Sequence, residues 1–369
     1  MPDISFDSNA MVEPAGHSSM GRSPVAGTPG RHDAKNSVGD LVGNPVGDEV
    51  GKEFRDEVGD ELRDEVGVAI DALSRTIAAN DRVVVAYSGG VDSTLVAAVA
   101  DRVCDTVAVT AVSPSLASFQ HQTAVEVAKQ IGLTHQTIDT DEMTSPDYRR
   151  NDRRRCFYCK QSLYHHLSQI VRRFGDQTSI VSGTNADDLG DYRPGIEAGR
   201  AANVQTPLAD LGIGKSMVRL MARRLGLPNA DLAASPCLSS RIAYGTEVTA
   251  DRLRRIDRME TQLRQSGFDV CRVRLYGAQT EVHDKNRGER RASRDRAMIE
   301  VPAERIAAAT DLLGRLNANS ASSTKLVSSF CMDDWSEVTI ATDGFRSGRM
   351  NDVVGGLPVI ELSPRVAGS

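Results

Sequence analysis

The sequence predicts an α/β protein in which a doubly wound parallel sheet is followed by a smaller C-terminal α+β domain. Two observations predict it. Between residues 82 and 182 short β-branched runs alternate with helix-length segments, the rhythm of strand-helix-strand units. Beyond about Tyr244 the order changes to helix, strand, strand, helix, which no longer follows that alternation.

Taken in chain order, Met1 to Asp40 is rich in Gly, Pro, Ser, Asn and His. Such a stretch buries too little apolar surface to offset its ordering entropy, and a disordered tail is expected. An imperfect repeat of the form Val-Gly-Asp-Glu-Val-Gly runs from Val38 to Gly67. Its period is too short for a solenoid and its glycines weaken a helix, so it reads as a solvated linker. Order is expected from Asp64, where Val66, Ile70, Leu73 and Ile77 recur at helical spacing. Arg82–Tyr87 has the β-branched run of a strand buried on both faces, and Asp92–Val103 is an apolar helix. Thr106–Val112, Ser118–Ile131, His135–Ile138 and Ser179–Ser182 continue the alternation. Past Tyr244 come a charged helix (Thr249–Ser266), strands at Phe268–Tyr276 and Ala297–Val301, and a helix at Ala303–Leu316. The expected division is a tail and linker at 1–63, an α/β domain at 64–243 and an α+β domain at 244–369.

Composition narrows the function classes. With 369 residues, 40% hydrophobic and 25% charged, the chain can bury at least one sizeable core. A formal charge of -6 gives no general attraction to nucleic acid or an anionic membrane. No segment reaches the roughly 18 to 20 apolar residues of a membrane span, and Met1–Lys35 lacks the apolar stretch of a secretory signal. A cytoplasmic location is expected, where six cysteines serve as thiols or metal ligands rather than as a disulfide scaffold.

The strongest chemical signal is the loop Ser88-Gly89-Gly90-Val91-Asp92-Ser93. It lies where a strand feeds a helix, so backbone N–H groups and the helix N-terminus converge on one point, a place for an anion. Gly89 and Gly90 let the backbone approach phosphate, the Ser88 and Ser93 hydroxyls can donate to it, and Asp92 can orient Mg2+ or cap the helix. Asn185, Asp187, Asp188 and Asp191 follow the strand ending at Ser182, at the carboxyl edge where ligands bind; they can position ATP or magnesium, or cap the next helix. Arg272 and Arg274 alternate on one strand and can grip a substrate phosphate, or simply line a solvated face. The seven histidines show no ligand spacing, and His165-His166 reads as surface.

The loop resembles the signature of the PP-loop ATP pyrophosphatases, which implies cleavage of ATP between the α and β phosphates and transfer of AMP to a substrate oxygen. Four further stretches, Arg155–Lys160, Ser182–Gly195, Ser235–Arg241 and Gly344–Gly348, resemble the LarE family of nickel-pincer nucleotide biosynthesis. The likeness spans about Asp64 to Asn351; the tail and a charged insertion at Glu281–Arg296 depart from it. It implies adenylation of a pyridinium biscarboxylic acid mononucleotide, then displacement of AMP by sulfur. The sulfur comes either from a sacrificed cysteine, which becomes dehydroalanine, or from a 4Fe-4S cluster held by three cysteines. Cys156, Cys159 and Cys237 lie inside these motifs, and the Cys156/Cys159 spacing favours the cluster form. The plain alternative for that pair is burial as small apolar side chains. Cys237 reads as exposed, with Arg241 stabilising its thiolate. Cys104, Cys271 and Cys331 read as core, and Glu260 and Glu300 match acidic positions of the family. A homo-oligomer is also implied. The competing functions are a tRNA thiolation enzyme, for which only the basic Lys285–Arg296 stretch offers an RNA surface, an NAD synthase-like amide ligase, and a nucleotide-binding module without catalysis.

Overall fold

The computed structural model describes residues 59–175, 177–190, 194–277, 282–283, 290–291, 295–318, 334–345 and 359–360. The expected tail and most of the linker therefore lie outside the described residues, as do Asp191, Cys331, most of Glu281–Arg296 and the end of the Gly344–Gly348 motif.

The first helix, α1 (Asp60–Ile77), starts four residues before the expected Asp64. Asp60 and Glu61 fall in its first turn, where acidic residues favour the helix dipole. Gly67 costs about 1 kcal/mol relative to alanine. That is outweighed by the stripe Val66, Ile70, Leu73 and Ile77, all of it buried.

Strands β1 (Arg82–Ala86), β2 (Asp105–Val112), β3 (His135–Asp139) and β4 (Thr178–Ser182) form one parallel sheet in the order β3-β2-β1-β4. Between them run α2 (Val91–Val103), α3 (Ser118–Gln130), a single turn α4 (Pro146–Arg149) and α5 (Arg155–Phe174). After β4 come α6 (Pro194–Ala201), the short α7 (Pro207–Asp210) and α8 (Lys215–Arg224). Alternate residues of β1 enter opposite cores. Val83 and Val85 pack with α1, α2 and α8, whereas Val84 packs with Tyr164 and Leu167 of α5. Helices thus cover both faces, which is the doubly wound arrangement expected from the alternation. The chain runs β1 to β2 to β3 and then crosses to β4 on the far side of β1. The carboxyl ends of β1 and β4 therefore flank the switch point where such sheets bind ligands.

The second sheet is mixed: β5 (Arg272–Tyr276), β8 (Arg296–Glu300), β9 (Glu337–Ala341) and β10 (Val359–Ile360) in the order β10-β9-β8-β5. A two-residue pair, β6 (Val282–His283) and β7 (Arg290–Arg291), precedes β8. Helices α9 (Ala250–Gln265) and α10 (Ile306–Ala318) supply the rest of this core. The strand expected at Phe268–Tyr276 begins only at Arg272, because the residues before it end α9: Gly267 takes φ +85° and the Phe268 N–H returns to Leu263 O at 3.0 Å. The helix expected from Ala303 opens with a 3-10 turn, Ala303–Arg305. The two sheets share packing, since Ala117, Tyr148 and Leu238 join the core of the second. Ile242 bridges to Leu275, and the Ala243 N–H donates to Leu275 O at 2.9 Å.

Candidate active site

The loop after β1 holds its shape through its own hydroxyls. The Ser88 N–H donates to Ser93 Oγ at 3.1 Å, Ser93 Oγ donates to Gly90 O at 3.1 Å, and the Gly90 N–H donates to Ser88 Oγ at 3.3 Å. Ser93 is buried and committed inside the loop, so of the two expected phosphate donors only Ser88 is exposed to an incoming anion. The glycine requirement also moves. A Cβ at Gly89, where φ is +72°, would lie 2.6 Å from Ala124 Cα. A Cβ at Gly90 would meet only Ser88 Oγ, at 3.4 Å. Gly183, at the end of β4, is the unexpected third glycine: its Cβ would sit 2.6 Å from the Ser93 N–H nitrogen. The β4 loop thus presses against the N-terminus of α2 and walls the anion cradle on one side.

Asp92 sits at the rim. Asn185 Nδ2 donates to its Oδ1 at 3.1 Å, and Lys215 Nζ reaches Oδ2 at 2.5 Å. The structure therefore unites Asn185 with the loop, as expected, and adds Lys215, which sequence reasoning missed; only its place directly after Gly214 at a helix start hinted at it. Asp187 and Asp188 serve the turn. Asp187 Oδ2 accepts the Lys215 N–H at 2.7 Å, capping α8, and Asp188 Oδ2 accepts the Asn185 N–H at 3.1 Å. One carboxylate beside a phosphate cradle fits magnesium, which takes one or two carboxylates and fills its remaining positions with phosphate oxygens and water.

The three cysteines meet at the neighbouring edge. Cys156 is exposed in the first turn of α5, and Cys159 and Cys237 are half-buried. Their charges influence one another: the Cys159 thiol is pushed well up by burial, then by Cys237 and Glu142. Tyr148, whose hydroxyl lies 2.6 Å from Ser239 Oγ, is likewise pushed up by burial and then by Cys237 and Cys159. Among the described residues, however, no three His, Cys, Asp or Glu side chains gather at one point to hold a metal. The expected cluster therefore finds no support among the described residues, and burial as an apolar pair does not describe Cys156, which is exposed.

Arg155 and Arg241 exchange their expected importance. Arg241 is fully buried and holds the backbone rather than the thiolate: it donates to Pro236 O and to Cys237 O (2.9 Å) and pairs with Glu260 at 3.0 Å. Arg155, buried and bonded to Asn151 Oδ1 (2.5 Å) and Ser239 O (2.8 Å), is a cation beside the thiols, and Lys160 is another. Burial works to lower the Arg155 pKa, and Cys237, Cys156 and Tyr148 turn the net shift upward. Glu142 is a further residue the sequence did not signal. Its Oε1 accepts from Ser113 (2.5 Å) and Ser115 (2.9 Å), and its Oε2 is buried without a hydrogen bond.

One segment links the two edges. Asn229 Nδ2 donates to Gly89 O at 2.8 Å and to Thr94 Oγ1 at 2.9 Å, and eight residues later the same segment carries Cys237. The Leu238 N–H then donates to Ser115 O at 2.8 Å.

On β5 the two expected arginines are not solvated. Arg274, 3% exposed, is bound to Glu300 (3.0 Å) and Ser240 O (3.1 Å). Arg272, 5% exposed, stacks 4.3 Å above the Phe345 ring and makes no hydrogen bond among the described residues. Burial first, then Arg274 and Arg241, push its pKa down to about 10. It stays charged near neutral pH, and its side chain has no hydrogen-bond acceptor among the described residues, whereas Arg274 has Glu300. Cys271 is buried, as expected for a core thiol, and Cys104 is half-buried. His165 and His166 bond Gln169 and Ser162 O on α5, and His166 Nδ1 lies 3.9 Å from Asp141 Oδ1. No helix among the described residues is long and apolar enough to cross a membrane.

Comparison with known proteins supplies relatives for this arrangement. A family profile described as NAD synthase matches residues 68–153, which hold the phosphate loop and end before the first motif cysteine. An uncharacterized protein of Synechocystis is 39% identical over 276 residues, covering 74% of this chain and 93% of the relative. The pyridinium-3,5-bisthiocarboxylic acid mononucleotide synthase of Lactiplantibacillus plantarum is 32% identical over 276 residues, covering 74% of this chain and 90% of its own length. An uncharacterized protein of Methanocaldococcus jannaschii is 28% identical over 197 residues, covering 53% of this chain and 75% of the relative.

Proposed function

The chain belongs to the LarE family of ATP-dependent sulfurtransferases within the PP-loop enzymes, and from that premise we propose that it converts a carboxylate of pyridinium-3,5-biscarboxylic acid mononucleotide into a thiocarboxylate for nickel-pincer cofactor biosynthesis. The observation that carries this reading is the segment joining the phosphate loop, through Asn229, to Cys237. In this reading the edge that would adenylate and the edge that would carry the sulfur are joined by one segment. An amide ligase of the NAD synthase kind would need the first edge and have no use for the second. The division at residues 63 and 243 belongs to the same proposal, with the first helix already running from Asp60.

In the first step a substrate carboxylate oxygen bonds to the α-phosphorus of ATP. The bond from that phosphorus to the bridging oxygen breaks, and pyrophosphate leaves with the electron pair. The loop amides and Ser88 orient the phosphates, and magnesium, held by Asp92, would supply charge neutralisation there. In the second step the Cys237 sulfur, with Arg155 as its cationic neighbour, bonds to the acyl carbon and AMP leaves. Loss of the Cys237 Cα proton then breaks the Cβ–S bond, and sulfur departs with its electrons as the thiocarboxylate, leaving dehydroalanine. No oxidant or reductant is required. No step of this proposal is routed through a cluster. In this reading Arg272, whose guanidinium stacks on Phe345, would grip the substrate phosphate, and Arg274, held by Glu300, would support it.

Pyrophosphate release should depend on the pyridinium mononucleotide and not on total tRNA or deamido-NAD. Cys237→Ala should still release pyrophosphate yet form no thiocarboxylate, and wild-type protein after one turnover should have lost the mass of hydrogen sulfide at residue 237. Release triggered by tRNA or deamido-NAD would reassign the substrate. Iron-bearing protein that loses activity on Cys156→Ala or Cys159→Ala would replace the sacrificial route with a cluster.

A further inference from the structure

We propose that Glu142 is a catalytic residue of the sulfur-transfer step, the base that takes the Cys237 thiol proton onto Oε2 as the sulfur attacks the acyl adenylate. The inference rests on the reading of Cys237 as the sulfur donor. Three observations point to it. Glu142 opens the 3-10 turn Glu142–Thr144, just past the end of β3, on the same carboxyl edge of the sheet as the phosphate loop. Its carboxylate is half engaged: Oε1 accepts from Ser113 and Ser115, just past β2, while Oε2 has no hydrogen bond, in a side chain only 3% exposed. A buried carboxylate oxygen left unmatched costs stability, and the two hydroxyls on Oε1 hold the group in one orientation with an acceptor open. Finally, Ser115 ties this carboxylate to the sulfur segment. Its Oγ donates to Glu142 Oε1, and its carbonyl accepts at 2.8 Å from the N–H of Leu238, the residue after Cys237. Met143 and Cys159 pack against the core that holds Leu238 and Tyr148.

A thiol that attacks must lose its proton, and the other neighbours of the sulfur cannot receive it. Arg155 is a guanidinium, and against its burial the charges of Cys237 and Cys156 hold its proton on. Lys160 is raised by Tyr164 first and, with burial opposing, by the three thiols, so it too keeps its proton at neutral pH. Tyr148 and Cys159 are both pushed up, by burial first and then by Cys237, so neither offers an anion. Glu142 bears on both of them through its charge, which sets it among the same groups as the only carboxylate acting on either. In the step, the S–H bond of Cys237 breaks and its proton passes to Glu142 Oε2. The sulfur electron pair bonds to the acyl carbon, and the bond from that carbon to the AMP oxygen breaks with its pair leaving on AMP.

Quenched single-turnover assays with ATP, magnesium and the pyridinium mononucleotide separate the two steps, by following pyrophosphate and thiocarboxylate in wild-type protein, Glu142→Gln and Glu142→Asp. The glutamine keeps an acceptor for Ser113 and Ser115 but is no base. Glu142→Gln should release pyrophosphate within about threefold of wild type and form thiocarboxylate at least about a hundredfold more slowly, the scale of a lost general base. Acyl adenylate should then accumulate, and added hydrosulfide, an anion that needs no base to attack, should convert it to thiocarboxylate. Glu142→Asp should recover part of the rate by keeping a carboxylate. Equal loss in both steps, or an undiminished thiocarboxylate rate, in folded Glu142→Gln protein would make Glu142 a structural partner of the two serines and overturn the proposal. If Glu142→Gln does not fold, a Glu142→Asp protein whose thiocarboxylate rate falls no more than its pyrophosphate rate would overturn it. Wild-type protein that releases pyrophosphate yet forms no thiocarboxylate would instead overturn the sulfur-transfer reading itself.

Discussion

The edge of the first sheet and the inner face of the second both receive anions in the proposed reaction, and they are built in opposite ways. At the first, the receiving groups are main-chain amides shaped by Gly89 and Gly183, with charged side chains only at a partly open rim. At the second, Arg241, Arg272 and Arg274 are buried, and Glu260 and Glu300, 1% and 0% exposed, balance two of them. A backbone cradle is fixed by sterics, so it tolerates altered charge but not an added Cβ. A buried side-chain site is fixed by charge balance, so it tolerates change that keeps the charge but not the loss of one partner's charge. The difference predicts which kind of substitution each edge can survive.

The largest expected effect is at the cradle. Gly183→Val should reduce ATP affinity by more than about a hundredfold, because the new side chain enters the N–H of Ser93 that the phosphate needs. Gly90→Ala should stay close to wild type, since its Cβ meets only Ser88 Oγ at 3.4 Å. Calorimetric titration with ATP on both variants, with circular dichroism to establish folding, checks the pair. Equal damage from both would mean the loop is not governed by close approach. At the second edge, Glu300→Gln should cost about 3–5 kcal/mol by leaving Arg274 without its buried counter-charge. Arg272→Ala should cost only about 1 kcal/mol, the scale of its stacking on Phe345, while raising the dissociation constant of the mononucleotide. Urea unfolding of the two variants gives the order, and a larger loss for Arg272→Ala would mean that it, too, serves chiefly as a structural ion.

What could be read from the sequence divides along the same line. The parallel sheet, its helices and the phosphate loop were legible because hydrophobic period and a glycine-rich turn are local signals. Gly183 and Lys215 were not, since each matters only through contact with a loop some ninety or more residues earlier, at Ser93 and Asp92. The burial of Arg272 and Arg274 was also hidden. A strand alternating charge and aliphatic residues looks half-solvated until the chain brings Glu300 to Arg274 across the β5–β8 pair. Likewise the five residues Arg155 to Cys159 marked the thiol pair, but whether Arg155 or Arg241 stood beside the sulfur depended on the packing of Asn151 and Ser239.

Between those extremes lies Asp295. Its carboxylate, 6% exposed, takes Arg252 through both oxygens at 3.0 and 2.9 Å and also pairs with Arg255, tying α9 to the start of β8. Burial acts to raise its pKa, and the hydrogen bonds and charges of Arg252 and Arg255 outweigh it, so the net shift is downward. A depressed carboxylate pKa contributes stability that is present above the unfolded value, about 3.9, and is lost as pH falls through the folded value. The arginines keep other acceptors, Glu247 O for Arg252 and Asp251 for Arg255 at 3.1 Å. Asp295→Asn should therefore cost only about 1–2 kcal/mol at pH 7, less than Glu300→Gln. Urea unfolding at a series of pH values should show that difference shrinking as pH falls from the unfolded value through the lower folded value, as the wild-type carboxylate takes up its proton. A deficit that stays constant over that whole range would assign Asp295 to shape rather than charge, and would place it with the glycines of the first edge.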